Sequence, residues 1–206
     1  MTTKALTLTG TADATAGPPS TTSRELDRFT LTRAQLGDPR AFSTLVRLYE
    51  ARVRAFVVRM CGGNPALADD MLQETFLRVF RSLPGFVFEG RAKLSTWIMT
   101  LATRTVIDDR RRAWSRLTMD DQIQEIADRR SGPGEHADAA ALRRTIDRAL
   151  LDVSEPLRAT FALRIFCELS EAETAEVMGV DVGTVKSRVS RVREHLRRAL
   201  AHTGGY

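Results

Sequence analysis

Cysteine is scarce. Cys61 and Cys167 stand far apart and form no Cys-x-x-Cys pair. His136, His195 and His202 are the only histidines, so a structural zinc site is not expected. No run approaches the roughly eighteen uninterrupted apolar residues of a membrane span. The opening Met1-Thr2-Thr3-Lys4-Ala5-Leu6 lacks the apolar stretch of a signal peptide. A cytoplasmic location without membrane insertion is therefore expected. Strand-like alternation and internal repeats are absent. So are a catalytic triad, a phosphate loop and a metal-ligand cluster, and scattered Ser, His and Asp read as caps and surface groups. We expect no enzyme, no catalytic residues and no cofactors. What remains is a chain of 206 residues with 43% apolar and 28% charged side chains, enough for one or two packed domains. The net charge of +5 is mild, and its distribution says more than its size.

Residues 1–23 are rich in Thr, Ala, Gly and Pro and carry almost no large apolar side chains. Such a segment cannot offset its ordering entropy, and it is read as a disordered tail. From residue 24 to 116 the pattern is helical. A first helix is expected from about Arg24 to Leu36, stopped by Gly37. Asp38-Pro39 and Asn64-Pro65 each read as an N-cap followed by a first-turn proline. Phe42, Leu45, Val46, Tyr49, Val53, Phe56, Val57 and Met60 form the apolar stripe of a second helix, ended by Gly62-Gly63. Ala68, Met71, Leu72, Thr75, Phe76, Val79 and Phe80 form that of a third. After Pro84-Gly85 and the aromatic loop Phe86-Val87-Phe88, a fourth helix carries Leu94, Trp97, Ile98, Leu101, Ala102 and Thr105. Residues 117–140 are acidic and hold the breaker cluster Ser131-Gly132-Pro133-Gly134, so they read as a linker. Residues 141–202 return to helical periodicity, and the last few residues look frayed.

The richest motif lies in this last segment. Ser170 caps a short helix, with Glu173 placed for a capping box, and Gly179 closes it. A second helix begins near Val182-Gly183-Thr184. It puts Val182, Val185, Val189, Val192 and Leu196 on one face. From Lys186 to Arg198 it carries six cations and one acid, Glu194. A purely solvating face would mix signs. The unit reads as a helix-turn-helix whose second helix enters the major groove. Elsewhere, Asp70, Gln73, Glu74 and Leu77 share the face of the third helix opposite its apolar stripe. A protein-binding surface and a solvated face with one stray leucine are both open there. Thr100, Thr103, Arg104 and Arg111 lie opposite the stripe of the fourth helix, which ends in Arg110-Arg111-Arg112. This cluster either complements the helix dipole or holds a nucleic-acid backbone. Phe86 and Phe88 either stack on unpaired bases or pack in the core, whereas Trp97 is assigned to the core.

Taken in order from about Asp38 to Leu200, these segments resemble a bacterial RNA polymerase sigma factor of the extracytoplasmic-function (ECF) class. Ala68–Phe80 looks like the family's core-polymerase-binding helix. Ala92–Ile98 through Ile107–Arg112 looks like its promoter-melting and minus-ten-reading segment. Val182–Arg188 looks like the start of its minus-thirty-five recognition helix. The resemblance implies an all-α fold of two small helical domains on a flexible linker. Residues 24–116 would bind polymerase and the minus-ten element, and 141–202 would bind the minus-thirty-five element. Polymerase contacts would fall on Asp70, Gln73, Glu74, Leu77 and Arg78. Minus-ten contacts would fall on Phe88, Lys93, Thr103, Arg104, Asp108, Arg111 and Arg112. Minus-thirty-five contacts would fall on Thr184, Lys186, Ser187, Arg188, Ser190 and Arg191. The implied partners are RNA polymerase core, promoter DNA and an anti-sigma factor. The sequence departs from the family pattern at Arg104, where asparagine is frequent, at Thr174, where isoleucine is usual, and at Leu94, where phenylalanine is common. A linker of about twenty residues spans about 25 Å on average and about 65 Å at most, enough to serve sites one to two turns of DNA apart. Its acidity fits either a solvated linker or a segment that occupies a nucleic-acid channel. The rival readings are a helix-turn-helix regulator that does not act through polymerase core, and a protein-only adaptor or anti-sigma factor.

Overall fold

A computed structural model describes residues 25–62, 64–87, 93–117 and 137–203. Side chains at 110–117, at 137–141, at 143–144 and at 202–203 lie outside that description, as do the expected tail and most of the expected linker. The described residues form eight α-helices. They are α1 (Arg28–Gln35), α2 (Pro39–Met60), α3 (Pro65–Ser82), α4 (Leu94–Leu117), α5 (Ala137–Leu151), α6 (Glu155–Ile165), α7 (Glu171–Met178) and α8 (Val182–Thr203).

Local chemistry sets most of the boundaries. Asp27 caps α1 by accepting from Thr30 N, so this helix starts later than its apolar pattern suggests. Gly37 then turns the chain at φ +86°, a conformation open to glycine. The Asp38 carboxylate accepts from Arg40 N at 2.8 Å ahead of Pro39, and Asn64 Oδ1 accepts from Leu67 N at 3.2 Å ahead of Pro65. Both cap-and-proline starts are as expected. α5 begins at Ala137, inside the acidic stretch read as linker.

α2 is the central strut. Leu45, Val53, Phe56, Val57 and Met60 are fully buried, each contributing about 1.5–3 kcal/mol by leaving water. α1, α3 and α4 pack around α2. Tyr49 is buried on the same stripe. Its hydroxyl accepts from Leu26 N and donates to Glu25, and burial pushes its pKa well above the usual value. Gln35 donates to the carbonyls of Leu83 and Phe86, closing the turn after α3 onto α1. Phe86 is buried 4.8 Å from the Trp97 ring, so the first aromatic of the loop is core. Phe88 lies outside the described residues.

In the C-terminal half, Val185, Val189, Val192 and Leu196 of α8 pack with Ala149, Leu150, Val153, Phe161 and Ala175. The expected stripe is shorter by one, because Val182 is exposed at the helix start. The two helical units also touch. α6 packs on α2 and α7 on α4. Ala159, Ala162, Leu163, Cys167, Leu169 and Val177 join the apolar cluster of α1–α4. Arg158 is 4% exposed, and its guanidinium donates to the carbonyl of Met60 at the carboxyl end of α2, where a cation is favoured.

Candidate functional site

On α3, Asp70, Gln73 and Leu77 are exposed, and Glu74 and Arg78 are half-buried. Leu77 is 41% and Phe80 50% exposed. Phe80, the last residue of the apolar stripe, is therefore only half covered. It sits at the stripe's end, in edge contact with the ring of Phe42 on α2. Together they border an open groove of about 590 Å³ between α2 and α3, floored by Val46, Leu72 and Phe76. Its polar rim holds Arg54 between Asp69 at 2.6 Å and Glu50 at 3.2 Å. An apolar groove with an exposed leucine and phenylalanine, rimmed by charge, is the form of a helix-binding surface. The sequence pattern showed the leucine and missed the groove, which needs two helices to exist.

On α4, Arg104 is exposed. Thr103 is not. It is 4% exposed, and its hydroxyl donates to Met99 O within its own helix. Thr103, expected to face DNA, is thus covered in the free chain. At about 100° per residue, Thr103 lies about 140° around the helix from Asp108, and α4 is covered on more than one side. Asp108 is held by Arg78 Nη1 at 3.1 Å, and Arg78 Nε holds Glu74 at 2.9 Å. Both carboxylates raise the pKa of the Arg78 guanidinium. Lys93, just before α4, is exposed, and its ammonium meets Glu173 at 2.8 Å. Arg111 and Arg112 continue α4 in backbone course, and their side chains lie outside the described residues.

The helix-turn-helix has the predicted local chemistry. Ser170 Oγ accepts from Glu173 N at 3.2 Å, and Glu173 accepts from Ser170 N at 2.8 Å, completing the capping box. Gly179 ends α7 at φ +63°. The sequence reading missed the cap of α8. Asp181 accepts from Thr184 N at 2.7 Å and from the Thr184 hydroxyl at 2.8 Å, and these bonds lower its pKa. An aspartate three residues before a threonine is the signal that was available. Thr184 is thus committed to the cap. Lys186, Ser187, Ser190 and Arg191 are exposed on α8. Arg188 is half-buried and donates to Thr160 Oγ1 at 3.3 Å, and Lys186 faces Glu171 at 3.5 Å. Cations and hydroxyls thus gather near the amino-terminal half of α8, the end that reaches base edges in this motif. Among the described residues there is no cluster of metal-ligating side chains.

Residues 45–116 match the sigma-70 region 2 family and residues 143–196 the sigma-70 region 4 family. The chain is 31% identical over 174 residues to the ECF RNA polymerase sigma factor SigW of Bacillus subtilis, covering 80% of this chain and 91% of that protein. It is 33% identical over 187 residues to the RNA polymerase sigma-H factor of Pseudomonas aeruginosa, covering 86% and 95%. Two solved structures share the fold. CnrH, solved with the cytosolic domain of CnrY, has a TM-score of 0.63 at 22% identity, covering 86% of this chain and 99% of CnrH. RpoE from Bartonella quintana, solved with NepR, has a TM-score of 0.66 at 23% identity, covering 78% and 96%. Two reading units in the expected order, carried by matches along most of the chain, lead to one assignment: this protein belongs to the ECF class of RNA polymerase sigma factors, the proteins that direct polymerase to promoters in transcription initiation.

Proposed function

We propose that the groove between α2 and α3 receives RNA polymerase core, with Gln73 and Leu77 at its lip and Asp70, Glu74 and Arg78 beside it. Arg104, Lys93, Asp108, Arg111, Arg112 and Phe88 serve the opened minus-ten strand. Lys186, Ser187, Arg188, Ser190 and Arg191 read the minus-thirty-five duplex, with Thr184 setting the start of their helix. The units assigned to 24–116 and 141–202 carry these two tasks. The protein works in the cytoplasm, where polymerase is, and by binding rather than by covalent chemistry. None of the described helices is long and apolar enough to cross a membrane. An anti-sigma protein is a further partner, by analogy with CnrH and RpoE, which were solved with CnrY and NepR.

The observation that carries this reading is the pairing of two surfaces on one chain. One is an apolar groove with Leu77 and Phe80 exposed, and the other a basic helix whose cations stay near the surface. A regulator acting without polymerase has no use for the first, and an adaptor has none for the second. The test is reconstitution. The purified chain is added to sigma-free polymerase core on genomic fragments, and promoter-dependent transcripts are expected. Core binding without start-site selection would leave only an adaptor.

A further inference from the structure

The first turn of α7 holds two acids, Glu171 and Glu173. Each faces a lysine assigned above to DNA, and the two lysines come from different reading units. Glu173 Oε1 lies 2.8 Å from Lys93 Nζ ahead of α4, and Glu171 Oε2 lies 3.5 Å from Lys186 Nζ on α8. Glu173 is held in place, since its other oxygen accepts from Ser170 N in the capping box. Behind this turn the two units are in contact. Arg59 and Asp147 form an ion pair at 3.2 Å with both side chains mostly buried, and the Arg59 guanidinium lies over the Phe166 ring at 4.4 Å. Cys167 Sγ lies 3.6 Å from Arg52 O on α2. Thr96, Met99 and Thr103 of α4 are all buried, on the side away from Asp108.

We propose that the first turn of α7 is an internal substitute for DNA phosphate, which occupies Lys93 and Lys186 and holds the free chain shut until polymerase and promoter displace it. The inference rests on the assignment of those two lysines to DNA. A carboxylate and a phosphate are both anionic acceptors for an ammonium group, so one excludes the other at Lys93. Each exposed pair contributes little alone, and the apolar contact behind the turn does most of the holding. The two pairs tip the balance, and a row of phosphates wins where an isolated one does not. One charged turn of a helix thereby couples the two reading units.

The test uses the full chain with Cys61→Ser, leaving Cys167 as the only thiol. Cys167 is 2% exposed, within the shared apolar cluster, so its reaction with a water-soluble aromatic disulfide reports opening. Burial also pushes its pKa up to about 12. The double variant Glu171→Gln and Glu173→Gln removes both charges, and glutamine at 173 can still complete the capping box. A control carrying Asp152→Asn and Glu176→Gln, at two exposed positions, accounts for the loss of two charges alone. Relative to the control, the double variant is expected to label roughly three- to tenfold faster, as the loss of two weak pairs allows. Its helical signal stays unchanged. Its affinity for a fluorescein-labelled single-stranded 30-nucleotide DNA of mixed sequence rises by a similar factor over the control. Parent labelling as fast as that of the urea-unfolded chain overturns the proposal. So does labelling equal to the control, and so does faster labelling with no gain in DNA affinity over the control. Promoter-dependent transcription is scored separately. Transcripts with an unprotected Cys167 keep the sigma reading and remove closure, whereas protection and DNA gain without transcripts do the reverse.

Discussion

Arg78 on α3 reaches across to Asp108 on α4 at 3.1 Å, tying the helix that carries Leu77 to the helix that carries Arg104. The pair is half-exposed, so its coupling is expected at about 1 kcal/mol or less. A double-mutant cycle with Arg78→Ala and Asp108→Ala, read by urea unfolding, measures it. Asp108→Ala is also expected to impair strand opening less than Arg104→Ala in permanganate footprinting, because Asp108 is already engaged. An equal loss in both would mean that the bond to Arg78 does not withhold Asp108 from the strand.

Leu77→Ala and Phe80→Ala should each weaken binding to polymerase core by roughly tenfold, the effect of truncating an anchor side chain. Both side chains are about half exposed in the free protein. The melting temperature should therefore fall only slightly, by much less than the loss in binding implies. A fall in stability matching the fall in binding would mean the groove is closed core.

Thr174 stands where the family usually has isoleucine, and it is fully buried with its hydroxyl lacking a hydrogen-bond partner. Thr174→Val keeps the shape and removes the unpaired group. A gain of about 1 kcal/mol in unfolding free energy is expected. Destabilisation by valine would show that the hydroxyl is satisfied in solution.

Burial disfavours the Glu173 carboxylate. The bond from Lys93 and the Ser170 cap outweigh that penalty, and the pKa falls from 4.5 to about 2. A depressed native pKa means that the unfolded chain takes up the proton first on acidification. The stabilisation is thus complete above about pH 4.5 and fades toward about pH 2. Thermal melts of the parent and Glu173→Gln should differ by a constant amount near neutral pH. That gap should close across the acid window. A gap of the same size at pH 3 and pH 7 would remove the carboxylate as its cause.

Arg191 is exposed on α8, whereas Arg188 is tied to Thr160. With polymerase present, Arg191→Ala should either weaken all upstream sequences alike and lower the salt slope by about one, or cost about 1–3 kcal/mol at one base position. Filter binding over a salt series with single-base variants separates the two. Binding unchanged at every salt concentration would take Arg191 out of the interface.

Features set within a few residues were legible before the fold was known. Asp38-Pro39, Asn64-Pro65 and the Ser170–Glu173–Gly179 set each act through bonds to near neighbours, so spacing suffices. The order of motifs then carried the family. Features made by two distant segments were not legible. Phe80 belongs to the apolar period of α3, yet the groove it borders is formed with Phe42 of α2. Thr103 is polar and out of phase with the main stripe, and its burial comes with a second packed side of α4. Glu173 and Lys93 meet across 80 sequence positions, and nothing in either neighbourhood signals the other. Arg158 sits within an ordinary helical pattern, and the carbonyls that take up its charge, Met60 O at the end of α2 and Val153 O, emerge only in the fold.

The apolar cluster shared by α2, α4, α6 and α7 sets the limits of truncation. Leu163, Cys167, Leu169 and Val177 belong to region 4 by sequence family but lie among the side chains of region 2. The inherited module and the apolar cluster therefore do not coincide in this chain. A fragment cut at residue 136 would surface those four side chains together. Chain boundaries drawn on the family match alone would yield a sticky half-protein, whereas the uncut chain keeps these side chains covered.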